Sequence, residues 1–133
     1  MKITHKLRLS QQDAHYGGSL IDGARILGLF GDVATELLIR HDGDEGLFRA
    51  YEAVDFLAPI YAGDYLEITG TIEKSGSSSR FMRFTCHKYI TARPDVSPSA
   101  ADLLNKPVLC VSAAGTCIVP KANQRNPGES ANG

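Results

Sequence analysis

The 133-residue sequence has no tryptophan, three cysteines and no excess of either charge, with 14 Lys/Arg against 15 Asp/Glu and a net charge of −1. Balanced charge without a basic stripe removes the electrostatic case for nucleic acid or for a membrane surface. No apolar run approaches the roughly 18 residues needed to span a bilayer. Cys86, Cys110 and Cys117 are odd in number, lack CxxC spacing and sit in strand-like runs, so they read as buried reduced thiols. His5, His15, His41 and His87 are scattered, with no HxxxH or HExxH pair, and no metal site is expected. Met1 to Lys6 alternate in polarity instead of forming an apolar block, which argues against a secretory signal and for a cytoplasmic protein.

What is present is one greasy helix among strands. Ile26, Phe30, Val33 and Leu37 recur at three- and four-residue steps, predicting a helix from about Gly23 that stops before the turn signal His41-Asp42-Gly43-Asp44. Ala24, Leu27, Leu29, Ala34 and Leu38 make it apolar almost all round, as in a buried helix. Lys2 to Ser10 alternate as a half-buried strand does, with Ile3, His5, Leu7 and Leu9 on one face. Further strands are expected at Leu47–Phe56, Tyr65–Lys74 and Arg80–Thr91, the last two joined by the hairpin Ser75–Ser79. Pro94–Pro107 reads as an excursion with a short helical piece near Ala100–Leu104, followed by a last strand, Val108–Val119. One domain over residues 1–120 and a polar tail over 121–133 follow, with no internal repeat.

Asp32 and Glu36 lie one turn apart on one helix face. If that face is buried, their carboxyls must be paired, hydrogen-bonded or protonated, and a carboxyl whose pKa is raised by burial suits general acid–base work near neutral pH. The competing reading makes Arg25, Asp32, Glu36 and Arg40 an exposed salt-bridged stripe. Gly28 and Gly31 each cost about 1 kcal/mol against alanine in a helix interior, so close approach of another backbone or of a ligand is expected there. Ahead of the helix, Asp13, His15, Gly17 and Gly18 add an acid, an imidazole and flexible backbone.

One strand, one long helix and a run of antiparallel strands predict an α+β fold, a curled antiparallel sheet wrapped around the helix. The order resembles the hotdog fold, and Phe56-Leu57-Ala58-Pro59-Ile60-Tyr61-Ala62-Gly63-Asp64 is similar to the F-x-x-P-hydrophobic-x-x-G-D connection of acyl-CoA-handling hotdog proteins. A closer resemblance covers nearly the whole chain. Asp13-Ala14-His15-Tyr16, Gly23-Ala24-Arg25-Ile26, Gly31-Asp32-Val33, Thr35-Glu36-Leu37, Asp42-Gly43-Asp44, Gly63-Asp64, Ile72-Glu73-Lys74 and Pro107-Val108-Leu109-Cys110 resemble the 3-aminoacyl-CoA ammonia-lyases, the β-alanyl-CoA and 3-aminobutyryl-CoA enzymes of amino-acid fermentation. The resemblance implies reversible, cofactor-independent elimination of ammonium from a 3-aminoacyl-CoA to give the 2-enoyl-CoA, crotonyl-CoA or acryloyl-CoA. Asp13 and His15 also resemble the Asp and His of the D-x-x-H-x-N-N stretch of hotdog thioesterases, but Tyr16-Gly17-Gly18 replaces the Asn pair.

Such an elimination needs a base for the proton beside the thioester carbonyl, donors for the enolate-like oxygen and a seat for ammonium. Glu36 is the first choice for proton transfer, Asp32 or Asp13 for holding ammonium, and His15 for orienting one of them. Asp22 is a weaker candidate, because an Asp just before Gly23 caps the helix. Backbone amides at Gly17, Gly18 or Gly23 are expected to polarise the thioester oxygen. Arg80, Arg83, Lys88, Lys106, Lys121 and Arg125 are available for the coenzyme A phosphates. A site between two subunits, in a homodimer or an assembly of dimers, suits a chain too small to enclose a coenzyme A thioester. A hotdog thioesterase, an enoyl-CoA hydratase and a non-catalytic acyl-CoA-binding module are the alternatives.

Overall fold

The helix forms where the apolar spacing puts it. In the computed structural model, which describes residues 1–125, helix α1 runs Gly23–Asp42. Asp22 caps its start, accepting from the Arg25 amide at 3.4 Å, and the amide of Gly43 closes its end on the Ile39 carbonyl at 2.8 Å. The helix therefore includes His41 and Asp42, which the turn signal had assigned to the loop. Asp42 sits at the negative end of the helix dipole, where an anion is disfavoured. The buried Arg80 guanidinium offsets that by donating to both carboxylate oxygens, at 2.9 and 2.8 Å.

Ile26, Leu29, Phe30, Val33, Ala34, Leu37 and Leu38 bury one face of α1 against a five-stranded antiparallel sheet in the order β1-β3-β4-β5-β2. The strands are β1 Lys2–Arg8, β2 Leu47–Phe56, β3 Tyr65–Ser75, β4 Ser79–Ala92 and β5 Ala101–Ile118. Phe30 stacks on Phe84 with centroids 5.2 Å apart, and the glycine at Gly70 leaves room for Val33 between helix and sheet. Each large side chain buried this way is worth about 1.5–3 kcal/mol. Cys86, Cys110 and Cys117 are free and buried, as expected, and burial pushes the Cys86 thiol up to about 12 and that of Cys117 to about 11.

Two expectations are corrected. No helical piece forms at Ala100–Leu104: β5 starts at Ala101 and pairs with the end of β4, Ala101 opposite Ala92 and Leu103 opposite Ile90. Arg93 pins this hairpin by pairing with Asp95 at 2.9 Å and Asp102 at 2.6 Å, while an irregularity in register beside Lys88/Ile90 accommodates Pro107, which cannot donate to a ladder. Nor is the helix buried all round. The sheet covers one side only, and Ala24, Gly28, Asp32, Ile39 and Arg40 are exposed. Among the described residues no helix is long and apolar enough to cross a membrane.

The expected tail is anchored at its start. Arg125 donates its amide to the Asp42 carbonyl at 2.8 Å and its guanidinium to the Gly43 carbonyl, while Gln124 bonds Ser77 and Val119. The remainder of that tail, 126–133, lies outside the described residues.

Asp42 gives the fold a pH dependence of definite sign. Burial raises its pKa, but the hydrogen bonds and charges of Arg80 and His41 outweigh burial and hold it below the ordinary 3.8. Its contribution is therefore present above pH 3.8 and lost as pH falls through the lower folded value. Arg80→Ala is expected to lower stability at pH 7 by about 3–5 kcal/mol, the cost of leaving a buried charge unpaired. Urea unfolding at pH 7 and pH 3 checks this, with the gap from wild type narrowing at the lower pH.

Candidate active site at the helix N-terminus

A cavity of about 310 Å³ opens at the start of α1. Leu20 to Gly23 and Ile26 form one wall, Phe56 to Ile60 the other, and Val111 of β5 contributes from the sheet. Gly23 lets the Phe56 ring lie against the helix start, since a Cβ there would push the tip of that ring aside. Leu57 and Ala58 donate their amides to the Cys110 carbonyl, and Ile21 donates to Ile60, so both walls are tied by backbone bonds.

The connection from β2 to β3 is held by Asp64, which is fully buried. It accepts from the Tyr61 amide at 2.7 Å and the Ala92 amide at 2.9 Å, and pairs with Lys88 Nζ at 3.0 Å. Lys88 in turn donates to the Pro59 carbonyl at 2.9 Å. Gly63 precedes Asp64 with φ 93°, a backbone conformation that favours glycine. The Gly-Asp pair and the proline of the expected connection thus belong to one network that fixes a cavity wall.

The amides of Gly23, which lines the cavity, and of the adjoining Ala24 precede the first intrahelical bond and are available as donors. With the N-terminal end of the helix dipole behind them, they suit a developing negative charge such as an enolate oxygen. The rest of the lining is apolar except for Asp22.

The expected site residues divide around this geometry. Gly23 lines the cavity. Gly17 and Gly18 do not; they form a separate exposed turn, Gly17–Ser19, in which Gly18 has φ 69°. Asp13 is occupied by Arg25, whose Nε lies 2.7 Å from Oδ1, and also by the Ser10 amide at 2.9 Å. The Ser10 amide and Arg25 together hold its carboxyl below the usual range. His15 is exposed with its ring edge-on to Tyr16, and among the described residues it makes no hydrogen bond to Asp13 or Asp32, the acids it was expected to orient.

Glu36 departs furthest from expectation. It accepts from His5 Nε2 at 2.8 Å and Arg40 Nε at 2.9 Å, and these bonds lower its pKa where burial was expected to raise it. It faces β1, and about 20 Å of helix axis separates it from Gly23 at 1.5 Å per residue. Asp32, its expected companion, is exposed on the uncovered face. Neither the paired buried carboxylates nor a continuous salt-bridged stripe forms: Arg25 leaves for Asp13, while Glu36 and Arg40 pair as expected for an i,i+4 couple.

Sequence reading missed the apolar wall, Phe56, Leu57 and Val111, because it is assembled from separated segments. It also missed His5 as the partner of Glu36, although the alternation of β1 had placed His5 on the inward face. Of the cations available for coenzyme A, Arg80 and Lys88 are withdrawn, being buried and paired with Asp42 and Asp64. Arg83 pairs with Glu73 and Arg125 binds Gly43, while Lys106 and Lys121 are exposed and, among the described residues, in no ion pair.

Known proteins share this architecture. Residues 20–89 match the family model described as the thioesterase superfamily. The 3-aminobutyryl-CoA ammonia lyase of Acetoanaerobium sticklandii is 57% identical over 125 residues, 94% of this chain and 99% of that protein. The solved structure of β-alanyl-CoA:ammonia lyase from Clostridium propionicum superposes with a TM-score of 0.92 at 39% identity, covering 99% of this chain and 95% of that one. A hexameric hotdog-fold thioesterase of Campylobacter jejuni, at 16% identity and a TM-score of 0.72, covers 92% of this chain and 86% of that one and shares the fold. With a single helix laid on a five-stranded antiparallel sheet and likeness running end to end, the chain belongs to the thioesterase superfamily in its hotdog form and, within it, to the 3-aminoacyl-CoA ammonia-lyases.

Proposed function

We propose that the protein is a carbon–nitrogen lyase that reversibly eliminates ammonium from a 3-aminoacyl-CoA, 3-aminobutyryl-CoA or β-alanyl-CoA, to give crotonyl-CoA or acryloyl-CoA. The observation that carries this reading is the 57% identity, nearly end to end, to a 3-aminobutyryl-CoA ammonia lyase. The apolar cavity with the helix-start amide of Gly23 in its lining supports it, because a short acyl thioester needs a donor facing its oxygen and a dry wall. The reaction uses no cofactor, coenzyme A being part of the substrate, and we take amino-acid fermentation in the cytoplasm as its setting.

The site is completed in an assembly of at least two copies. Phe56 and Leu57, which wall the cavity, are 58% and 57% exposed in the single chain, and β2 is an open sheet edge beside them. The uncovered helix face bears Ala24 and Gly28, small enough for close approach, and Asp32. Asp32, unlike Asp13 and Glu36, has no ion-pair partner among the described residues, which supports giving it, across a contact between copies, the removal of the C2 proton. Glu36 instead clamps α1 to β1 through His5.

Purified protein given crotonyl-CoA and an ammonium salt is expected to consume the enoyl thioester in proportion to ammonium, without added metal or cofactor. Equal consumption without ammonium, with 3-hydroxyacyl-CoA appearing, identifies a hydratase; accumulation of free coenzyme A thiol identifies a thioesterase. Sedimentation at micromolar concentration is expected to show a dimer or larger, and a fully active monomer refutes the shared site.

Asp32→Asn is expected to lower turnover roughly 100-fold or more, the scale of general acid–base groups, with an unchanged unfolding midpoint. Glu36→Gln is expected to lower stability by up to about 1 kcal/mol, as for a part-exposed ion pair, and to keep turnover near wild type. Steady-state kinetics and thermal unfolding of the two variants check the assignment, and the reverse ranking restores Glu36 as the proton acceptor.

A further inference from the structure

The cavity lining contains one charged side chain, Asp22, among apolar residues. Its Oδ1 meets the Arg25 amide at 3.4 Å, a long bond for a cap, and its Oδ2 has no partner among the described residues. The Arg25 side chain, three residues on, pairs with Asp13 at 2.7 Å instead. A carboxylate thus borders an apolar cavity with one oxygen open.

We propose that Asp22 seats the ammonium group of the substrate, a role that rests on the lyase reading above. The geometry of the substrate requires such a neighbour. In a 3-aminoacyl thioester one carbon separates the carbonyl carbon from the carbon bearing nitrogen, so the donors for the oxygen and the seat for the nitrogen must lie side by side. Asp22 and the amides of Gly23 and Ala24 are consecutive residues of one helix start. The electrostatics point the same way: the positive end of the helix dipole favours the enolate oxygen and repels a cation, so a cation held there needs an anion of its own.

During elimination the C2–H bond breaks and its proton passes to the base, while its electron pair becomes the second bond between C2 and C3. The C3–N bond breaks with its pair going to nitrogen, and ammonia departs, taking up the released proton to become ammonium. Asp22 holds the nitrogen at both ends of this sequence, bound to C3 as an ammonium substituent and free as ammonium.

Capping and seating are separable by substitution, because Asn and Ser cap a helix about as well as Asp but are neutral. Asp22→Asn and Asp22→Ser are expected to unfold at the wild-type temperature. With crotonyl-CoA and ammonium chloride varied independently, each is expected to raise the ammonium KM by about tenfold or more and to leave the crotonyl-CoA KM within about twofold. Folded variants with a wild-type ammonium KM overturn the seat while the wild-type enzyme's use of ammonium preserves the lyase reading. A wild-type enzyme that ignores ammonium overturns both.

Discussion

A buried carboxylate, Asp64, sets the shape on which the site depends. The β2–β3 connection has to turn from one edge of the sheet, cross the start of α1 and enter β3, and its backbone polar groups need partners on the way. Asp64 supplies acceptors for Tyr61 and Ala92, and Lys88, its counter-ion, reaches the Pro59 carbonyl. Taking both charges out of water is costly and adds little net stability against an apolar pair of the same shape. What the pair secures is position. It fixes Pro59 and Ile60 opposite Ile21 and Gly23, and hence the distance between the cavity walls.

The remaining charges around α1 follow one logic. Asp13 takes Arg25, Glu36 takes His5 and Arg40, and Asp42 takes Arg80, and apart from Glu36–Arg40, which lies within the helix, each pair joins α1 to a different neighbour. Asp22 at the N-cap and Asp32 on the uncovered face are left without an ion pair among the described residues. The Ser10 amide and Arg25 at Asp13, His5 and Arg40 at Glu36, and Arg80 and His41 at Asp42 hold these carboxyls below their ordinary pKa, so they are fixed anions of the scaffold at neutral pH. A carboxylate that is already committed to an arginine has little to offer a substrate cation or a C–H bond. The unpaired acids are the ones with free oxygens, and this is the physical ground for moving the chemistry away from Glu36.

Local patterns carried most of the fold. The alternation of Ile3, His5, Leu7 and Leu9, the apolar spacing of α1 and the Gly-Asp turn each record a constraint between near neighbours, and each appears where expected. The misreading at Ala100–Leu104 shows the limit. A short segment of alanine and leucine has helical propensity, but pairing with Ile90 and Ala92 and the Arg93–Asp102 bridge are long-range gains that propensity does not contain. The site was legible only in part for the same reason. Gly23 and the cap could be read from one stretch of chain, whereas Phe56, Leu57 and Val111 meet it through topology, and the pairing of Glu36 with His5 spans 31 residues.

Gly28 and Gly31 bear on the proposed assembly. Each costs about 1 kcal/mol against alanine within a helix, and that cost needs a return. Within the single chain there is none, because a Cβ added at either position would meet nothing within 4 Å. Gly70 and Gly23 behave differently: a Cβ there would strike Val33 or Phe56, so those glycines are explained by this chain alone. Next to Gly28 in sequence, the Leu27 carbonyl accepts from the Tyr51 hydroxyl of β2, and β2 is an open edge. On the proposed function, a second copy approaching along that edge would bring backbone close to Gly28 and Gly31, cover Phe56 and Leu57, and carry its own Asp32 toward the cavity mouth. In the proposed assembly the same contact would offset the cost of the glycines and bring the carboxylate of Asp32 to the neighbouring cavity.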